Sequence, residues 1–462
     1  MALEMAQQGR LSGIILMPLG CLLMELVILY FPKWFMTLEL NRMNDLRSFR
    51  ILIEGIIASL LFYSCSELMP SSEPDYYYDE TAGEIERIQL SSTQKANVAK
   101  SNTFAIELLS RCNLDEGVTL CPLSIQTVLA VLNDGVEGVA SKEIKEALGF
   151  KRYSDEVIDT YYHNIVCQLP KLSGQSYGSV SSFVFYDNSV GLRQEYLSRI
   201  NHYYGAYSRG VDFGDWINAR QSINRWVEEA TSGMIKDYAE DDLSETLVLL
   251  LNATVLSANW VFPFKPELTK KGDFIKQDNT VVQKSLMHNL AGFQFYDNKD
   301  YKAVSLPLGK DGKSAYSFIP VLPAEGKSVL EVLEKLDINS ILSQSESSAV
   351  DLLIPLFEDR SVIDLIPLLK KTGINTVFSS EADFSPMLSS GSGDVVVNKV
   401  MQKSVFRVDE SGIEAAAATD IAIGYSAPSN QSVEQFHANR PFLWFIVENS
   451  SGIVVFEGAF TG

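Results

Sequence analysis

The stretch that decides the fold is Glu410-Ser411-Gly412-Ile413-Glu414-Ala415-Ala416-Ala417-Ala418-Thr419, a run of small and flexible residues. It lies between two segments with the composition of strands. Residues 395–408 before it are rich in β-branched side chains, and residues 441–447 after it lead through a turn at 449–452 into the apolar residues 453–456. The last two segments predict a hairpin that is buried on both faces. An alanine-rich tether between core strands therefore needs an explanation.

Two interpretations of this tether compete. Local composition favours a surface helix, because Glu and Ala are good helix formers. The alternative is an extended segment with one small or apolar face that can enter a β-sheet. That face would consist of Ile413, Ala415, Ala417 and Thr419. The sequence on either side of the tether decides between the two.

Residues 436–442, Phe-His-Ala-Asn-Arg-Pro-Phe, follow the tether. Together the two stretches resemble the hinge and the signature of the serpins, whose reactive loop inserts into a sheet of the same molecule. Other family motifs are matched in order by residues 97–109 (the first helix), 120–125 (Leu-Cys-Pro-Leu-Ser-Ile), 223–235 (Ile-Asn-Arg-Trp-Val, then Thr-Ser-Gly-Met-Ile) and 247–260 (the central strand). The chain is therefore identified as serpin-like from about residue 97 to Gly462.

The resemblance implies an α+β fold, the serpin fold, in which large mixed β-sheets are surrounded by about eight or nine helices and a reactive loop is exposed. Alternating helical and strand-like stretches beyond residue 97 agree with that class. Three parts are predicted along the chain: a leader or signal region at residues 1–66, an acidic disordered extension at 67–96, and a serpin domain at 97–462.

The resemblance also assigns site residues. The hinge is the tether from Glu410 to Thr419, and the polar cluster and gate beneath the sheet opening are Cys121, Ser124, Asn252, Trp260 and Gln402. Three positions depart from the family pattern. Cys121 replaces the Ser that is usual in the family, and Gln402 replaces a His that is frequent there. These two changes predict slower insertion of the loop or a less stable metastable fold. Ile413 replaces Thr or Ser, but it is apolar and β-branched and should still bury well.

In the family, a serine protease attacks a bait bond in the loop, and the cut loop then inserts as an extra strand. Counting the family's usual interval from Glu410 places the bait bond at Ser426-Ala427, and an interval one residue shorter places it at Tyr425-Ser426. A Ser suits an elastase-like pocket and a Tyr a chymotrypsin-like pocket. No Lys or Arg lies between Thr419 and His437, which disfavours a trypsin-like target.

The expected function is thus suicide inhibition of a chymotrypsin-like or elastase-like serine protease by a monomer. The alternative is a non-inhibitory serpin that acts as a carrier or binding protein, and the intact alanine run favours the inhibitor. No motif of an enzyme, a cofactor or a metal site is present, and the four histidines are scattered. The net charge of −20 excludes a nucleic-acid partner. Lys171 is the only Lys or Arg in residues 154–173, which argues against activation by heparin through that helix.

The N-terminal region contains two apolar runs. Residues 51–63 follow a basic flank and end in small residues, which predicts a secretory signal peptide cleaved near Ser66, with Met43 as a possible start. Residues 1–42 are then an extended or alternative leader, and a membrane anchor at residues 11–31 is the alternative. We expect a secreted, extracellular protein.

The extension carries Tyr76, Tyr77 and Tyr78 among carboxylates, which makes them candidates for sulfation and for contact with a basic partner. A solvated tail without a partner is the alternative.

Two candidate glycosylation sites are Asn449, at the predicted turn, and Asn430, in the loop, where occupancy should be absent or partial. The three cysteines beyond the leader are predicted to be buried thiols. They are Cys112, Cys121 and Cys167.

Overall fold

The computed structural model describes residues 85–172, 177–230, 233, 243–244, 246–310, 313–389, 396–413 and 432–462. Nine α-helices lie within these residues: α1 (Ser92–Ser110), α2 (Pro122–Asn133), α3 (Gly138–Ala147), α4 (Asp155–Val166), α5 (Gln194–Tyr204), α6 (Trp216–Ala230), α7 (Val329–Leu333), α8 (Ile338–Gln344) and α9 (Ile366–Lys371). Short 3-10 helices occur at Leu114–Glu116, Leu169–Lys171, Pro266–Leu268 and Thr376–Phe378.

The strands of the described residues form two sheets. They are β1 (Val118–Leu120), β2 (Tyr177–Asp187), β3 (Tyr207–Val211), β4 (Val248–Asn259), β5 (Lys270–Ile275), β6 (Val281–Asp297), β7 (Tyr301–Lys310), β8 (Lys313–Pro323), β9 (Glu346–Pro355), β10 (Phe357–Asp364), β11 (Val400–Val408), β12 (Gly412–Ile413), β13 (Val433–His437), β14 (Phe442–Glu448) and β15 (Val454–Phe460). The six-stranded sheet has the order β10-β11-β12-β4-β2-β3. The nine-stranded sheet has the order β1-β15-β14-β8-β7-β6-β9-β13, with β5 paired to β6. This is the predicted α+β class with mixed sheets.

The six-stranded sheet is covered on both faces, and alternation along β4 explains why. Leu250, Leu256 and Ala258 belong to the main core, which includes the wholly buried helix α2. Leu249 and Leu251 belong to a second apolar cluster, which the buried side of α6 completes. Successive strand residues point to opposite faces, so a strand buried on both sides is apolar at nearly every position.

The predicted C-terminal hairpin is confirmed as β14 and β15, and every residue of β14 is buried. Trp444 of β14 stacks on Phe406 of β11 with 4.2 Å between ring centroids and 9° between planes. The hairpin therefore joins the two sheets directly beneath the strand that precedes the hinge.

The first helix begins earlier than predicted. Ser91 and Gln94 form a capping box, in which Ser91 Oγ accepts from Gln94 N at 3.2 Å and Gln94 Oε1 accepts from Ser91 N at 3.0 Å. This box fixes the helix start at Ser92. Ile88 before it is buried. The predicted start of the helix at Asn97 is therefore five residues late, and residues 92–96 belong to α1.

One side chain in the core is an ionisable carboxyl group. Glu457 of β15 lies between Leu120 of β1 and Phe445 of β14, and it is fully buried. Neither of its carboxylate oxygens has a hydrogen-bond partner among the described residues. Burial raises the pKa of this carboxyl well above its ordinary value. Burial in the folded protein therefore favours the neutral form of Glu457.

Candidate functional site: the opening between two parallel strands

The site lies where β4 and β11 run side by side in parallel. Their direct ladder consists of four pairs and ends at Lys403 and Ala253. Further along, the two-residue strand β12 lies between them and is antiparallel to both. Ile413 pairs with Val408 on one side and with Ala258 on the other. At one end of the sheet β4 and β11 thus pair directly with each other, and at the other end each of them pairs with β12.

Gly412 occupies a position that admits no side chain. A Cβ at this residue would overlap the carbonyl oxygen of Ala258 and lie 2.7 Å from the Cα of Asn259. Glycine is therefore required for β12 to approach β4 closely enough to pair with it. The predicted hinge glycine is placed where the chain turns into the sheet.

The turn from Asp409 to Gly412 is held by the residues that follow β4. Trp260 Nε1 donates to Asp409 O at 2.7 Å and Trp260 N donates to Ser411 O at 2.9 Å. Glu410 O accepts from Phe264 N at 2.9 Å, and its carboxylate accepts from Thr269 Oγ1 at 2.8 Å. Trp260 therefore contacts this turn through both its indole and its backbone amide.

A buried polar cluster lies at the end where β4 and β11 pair directly. Ser124 Oγ donates to Asn252 Oδ1, which also accepts from Thr254 Oγ1 at 3.2 Å. Asn252 Nδ2 donates to Ser182 Oγ of the neighbouring strand at 3.0 Å. Asn252 is in register with Gln402 across the ladder. The cluster therefore connects helix α2 to three strands of the sheet.

Cys121 and Gln402, two of the three departures from the family pattern, bind each other. Cys121 N donates to Gln402 Oε1 at 3.3 Å, and Gln402 Nε2 donates to Cys121 O at 3.2 Å. Cys121 Sγ donates to Val455 O at 3.0 Å. Burial raises the pKa of this thiol to about 12, so it stays protonated. The Gln side chain thus satisfies both backbone groups of Cys121.

Two of the predicted buried cysteines are less buried than expected. Cys121 is buried, whereas Cys112 and Cys167 are only half-buried, and all three are free thiols. Both partly exposed cysteines lie at helix ends, Cys112 just after α1 and Cys167 just after α4. Side chains at these ends are open to solvent on one side.

Two histidines share one carboxylate on the outer face of the nine-stranded sheet. Asp351 of β9 binds His288 Nε2 of β6 at 2.7 Å and His437 Nε2 of β13 at 2.9 Å. Burial acts to raise the pKa of Asp351, but the two histidine bonds outweigh it and hold the pKa below its usual range. These contacts tie down β13, which follows the loop. Nothing in the sequence indicates this link, because His288 and His437 are far apart along the chain.

Asn449 is exposed at the predicted turn, but its amide is engaged. Asn449 Nδ2 donates to Ser314 O at 3.1 Å and to Ser314 Oγ at 3.0 Å, while its Oδ1 accepts from Ser317 Oγ at 2.8 Å. A glycan on Nδ2 would replace one of these donors, and glycosylation at this residue stays a prediction.

The remaining predicted site residues lie outside the described residues. They are Glu414, Ala415, Ala416, Ala417, Ala418 and Thr419 of the hinge, Tyr425, Ser426 and Ala427 of the bait bond, Asn430, and Tyr76, Tyr77 and Tyr78. The leader at 1–66 lies outside them as well. Among the residues that are described, no helix is long and apolar enough to cross a membrane, and no group of His, Cys, Asp or Glu is suited to a metal ion.

Residues 99–462 match the family model described as "Serpin (serine protease inhibitor)". The protein belongs to the serpin family. Human Serpin B3 is 29% identical over 390 residues, which cover 79% of this chain and 99% of that protein. An uncharacterized serpin-like protein of Thermococcus kodakarensis is 30% identical over 372 residues, which cover 79% of this chain and 85% of that protein.

Solved structures share the fold. The thermophilic serpin tengpin in its native state superposes with a TM-score of 0.72 at 23% identity, and the match covers 83% of this chain and 98% of that one. The predicted fold and family are therefore confirmed, and so is the general assignment to a family of protease inhibitors.

Proposed function

We propose that this serpin inhibits a chymotrypsin-like or elastase-like serine protease by suicide trapping. The observation that carries the proposal is the place of β12, which lies between two parallel strands and is antiparallel to both. A chain that continues from Ile413 in the same direction runs toward the four-pair ladder. The existing hinge thus has the orientation that an inserting strand needs.

The register of β12 predicts the partners of each residue in the inserted state. Continued pairing places Ala415 between Leu256 and Phe406, both of which are buried. It places Thr419 between Asn252 and Gln402, within the polar cluster. Small side chains fit the first position, and a hydroxyl fits the second because it can hydrogen-bond there. The composition of the hinge therefore matches the strands that would receive it.

The loop sequence supports the class of protease. The bait bond proposed is Ser426-Ala427 or Tyr425-Ser426, which suits an elastase-like or a chymotrypsin-like pocket. We further propose that the protein is secreted and acts as a monomer. Helix α4 carries no Lys or Arg, so activation by heparin through this helix is not expected.

Incubation with chymotrypsin, elastase and trypsin, followed by denaturing gels, tests the proposal. We expect a covalent complex at the summed mass with at least one of the first two enzymes. Ala415→Arg should turn the inhibitor into a substrate, because its side chain would enter the core unpaired. Ala416→Arg is the matched control, because successive strand residues face opposite sides and residue 416 would lie on the same face as Arg407, whose side chain is exposed.

If every serine protease gives only cleaved, shortened protein and no complex, inhibition is refuted. That result would favour a carrier or binding role. Equal trapping by the Ala415 and Ala416 variants would show that the inserted face is wrongly assigned.

A further inference from the structure

The turn from Asp409 to Gly412, where the hinge begins, is held by hydrogen bonds to all of its carbonyl groups. Each of its four carbonyl groups accepts a backbone or indole hydrogen. Those of Asp409, Glu410 and Ser411 are bound by the segment after β4, as described above, and Gly412 O accepts from Asp409 N at 3.0 Å. The backbone of the turn therefore has one defined position relative to β4.

The carboxylate of Asp409 binds the turn from its inner side. Asp409 Oδ1 accepts from Ser411 N at 2.9 Å, Ser411 Oγ at 2.5 Å and Gly412 N at 3.2 Å. Asp409 Oδ2 lies 3.2 Å from Arg407 Nη2, and Asp409 is only 7% exposed. An aspartate in this arrangement closes a tight turn by binding the amides that follow it.

We propose that Asp409 is a positioning residue, which fixes the direction and the register with which the hinge enters the sheet. The inference rests on the proposed inhibitory function. Strand β12 has only two residues, so its own ladder is a weak determinant of register. A slip by one residue exchanges the two faces of a strand. Glu414 would then face Leu256 and Phe406 in place of Ala415, and an unpaired carboxylate would oppose insertion.

Replacement of Asp409 separates this role from a general loss of stability. Asp409→Ala removes all the side-chain bonds to the turn, whereas Asp409→Asn keeps an oxygen that accepts from the two backbone amides. Asp409→Glu keeps the charge but is one methylene too long to close the same turn. Arg407→Gln removes only the ion pair at an exposed side chain, so it serves as the control.

Two readouts are measured for each variant. The first is the number of inhibitor molecules consumed per protease trapped. The second is the delay between cleavage of the loop and the rise in melting temperature that accompanies insertion. We expect Asp409→Ala and Asp409→Glu to lengthen the delay roughly tenfold, because several hydrogen bonds to a charged group are lost. The consumption ratio should rise in parallel, while the rate of loop cleavage stays as in the wild type.

Asp409→Asn should recover most of the wild-type behaviour, and Arg407→Gln should match the wild type. If Asp409→Ala fails to fold, the Asp409→Glu and Asp409→Asn pair gives the same comparison. A wild type that traps protease, with Asp409→Glu and Asp409→Ala unchanged in both readouts, would overturn this inference alone. If Asp409→Glu instead behaves as the wild type while Asp409→Asn does not, only the charge of Asp409 matters. That result would also overturn the inference. A wild type that neither traps protease nor gains stability on cleavage would refute the proposed function itself.

Discussion

Glu457 makes the stability of the protein depend on pH in a way that one substitution can isolate. Its pKa is raised in the fold by burial from an ordinary value of 4.5. Below pH 4.5 the carboxyl is protonated in both the folded and the unfolded chain, so its effect on stability is constant. As the pH rises toward the folded pKa, only the unfolded chain releases the proton, and the folded state loses about 1.4 kcal/mol per pH unit.

One proton contributes at most about 1.4 kcal/mol per pH unit, which is at most about 3 kcal/mol between pH 5 and pH 7. For a domain of this size, 1 kcal/mol corresponds to roughly 1 °C in melting temperature. Glu457→Gln keeps the size and the buried polar group but cannot ionise. Its melting temperature relative to the wild type should therefore be higher at pH 7 than at pH 5, by up to roughly 3 °C.

The assay is thermal unfolding of both proteins at one scan rate, because unfolding of such a protein is governed partly by rates. All other titrating groups are common to the two proteins, so the difference between them reports on Glu457. Glu457→Met should in addition stabilise the fold at both pH values, since it buries no polar group. A difference between wild type and Glu457→Gln that does not change with pH would refute the conclusion that burial favours the neutral form of Glu457.

Two predictions concern the loop. Cleavage within the loop should raise the melting temperature sharply, because the cut segment becomes a central strand, and thermal unfolding before and after the cut checks this; an unchanged value would contradict insertion. Mass spectrometry of the C-terminal peptide released by the target protease should give a fragment that starts at Ala427 or at Ser426. Tyr425→Ala should abolish inhibition of a chymotrypsin-like enzyme in the second case, through a loss of roughly 2–3 kcal/mol of apolar contact, and should have little effect in the first. A fragment that starts elsewhere would show that the bait bond is misplaced.

Much of the fold could be predicted because its signals are local. The helix Gln194–Tyr204 has such a signal, since an apolar stripe at helical spacing lies between a polar start and Gly205. The start of α1 had a local signal as well, in the spacing of Ser91 and Gln94, but resemblance to the family placed the helix start later in the chain.

The contacts of the site could not be predicted from local patterns. Trp260 and Asp409 are 149 positions apart, and Cys121 and Gln402 are 281 apart. Motifs identified Cys121, Ser124 and Asn252 as members of one cluster, but not which atoms bind. Asp409 carried no signal of its own, because an acidic residue beside Glu410 in a turn is ordinary. Its role is visible only once the turn is folded against the end of β4.

In the proposed mechanism, the place where the four-pair ladder begins determines how far a trapped protease travels before β4 and β11 must separate. In the register of β12, residues 414–417 come before the pair that joins Lys403 to Ala253. At ~3.3 Å per residue, these four residues correspond to roughly 13 Å of travel. Residue 418 and those after it must separate β4 from β11, one pair at a time, while hydrolysis of the acyl bond competes with their advance. Substitutions in Leu250–Ala253 or Val400–Lys403 would therefore alter the outcome of that competition without touching the loop or the protease.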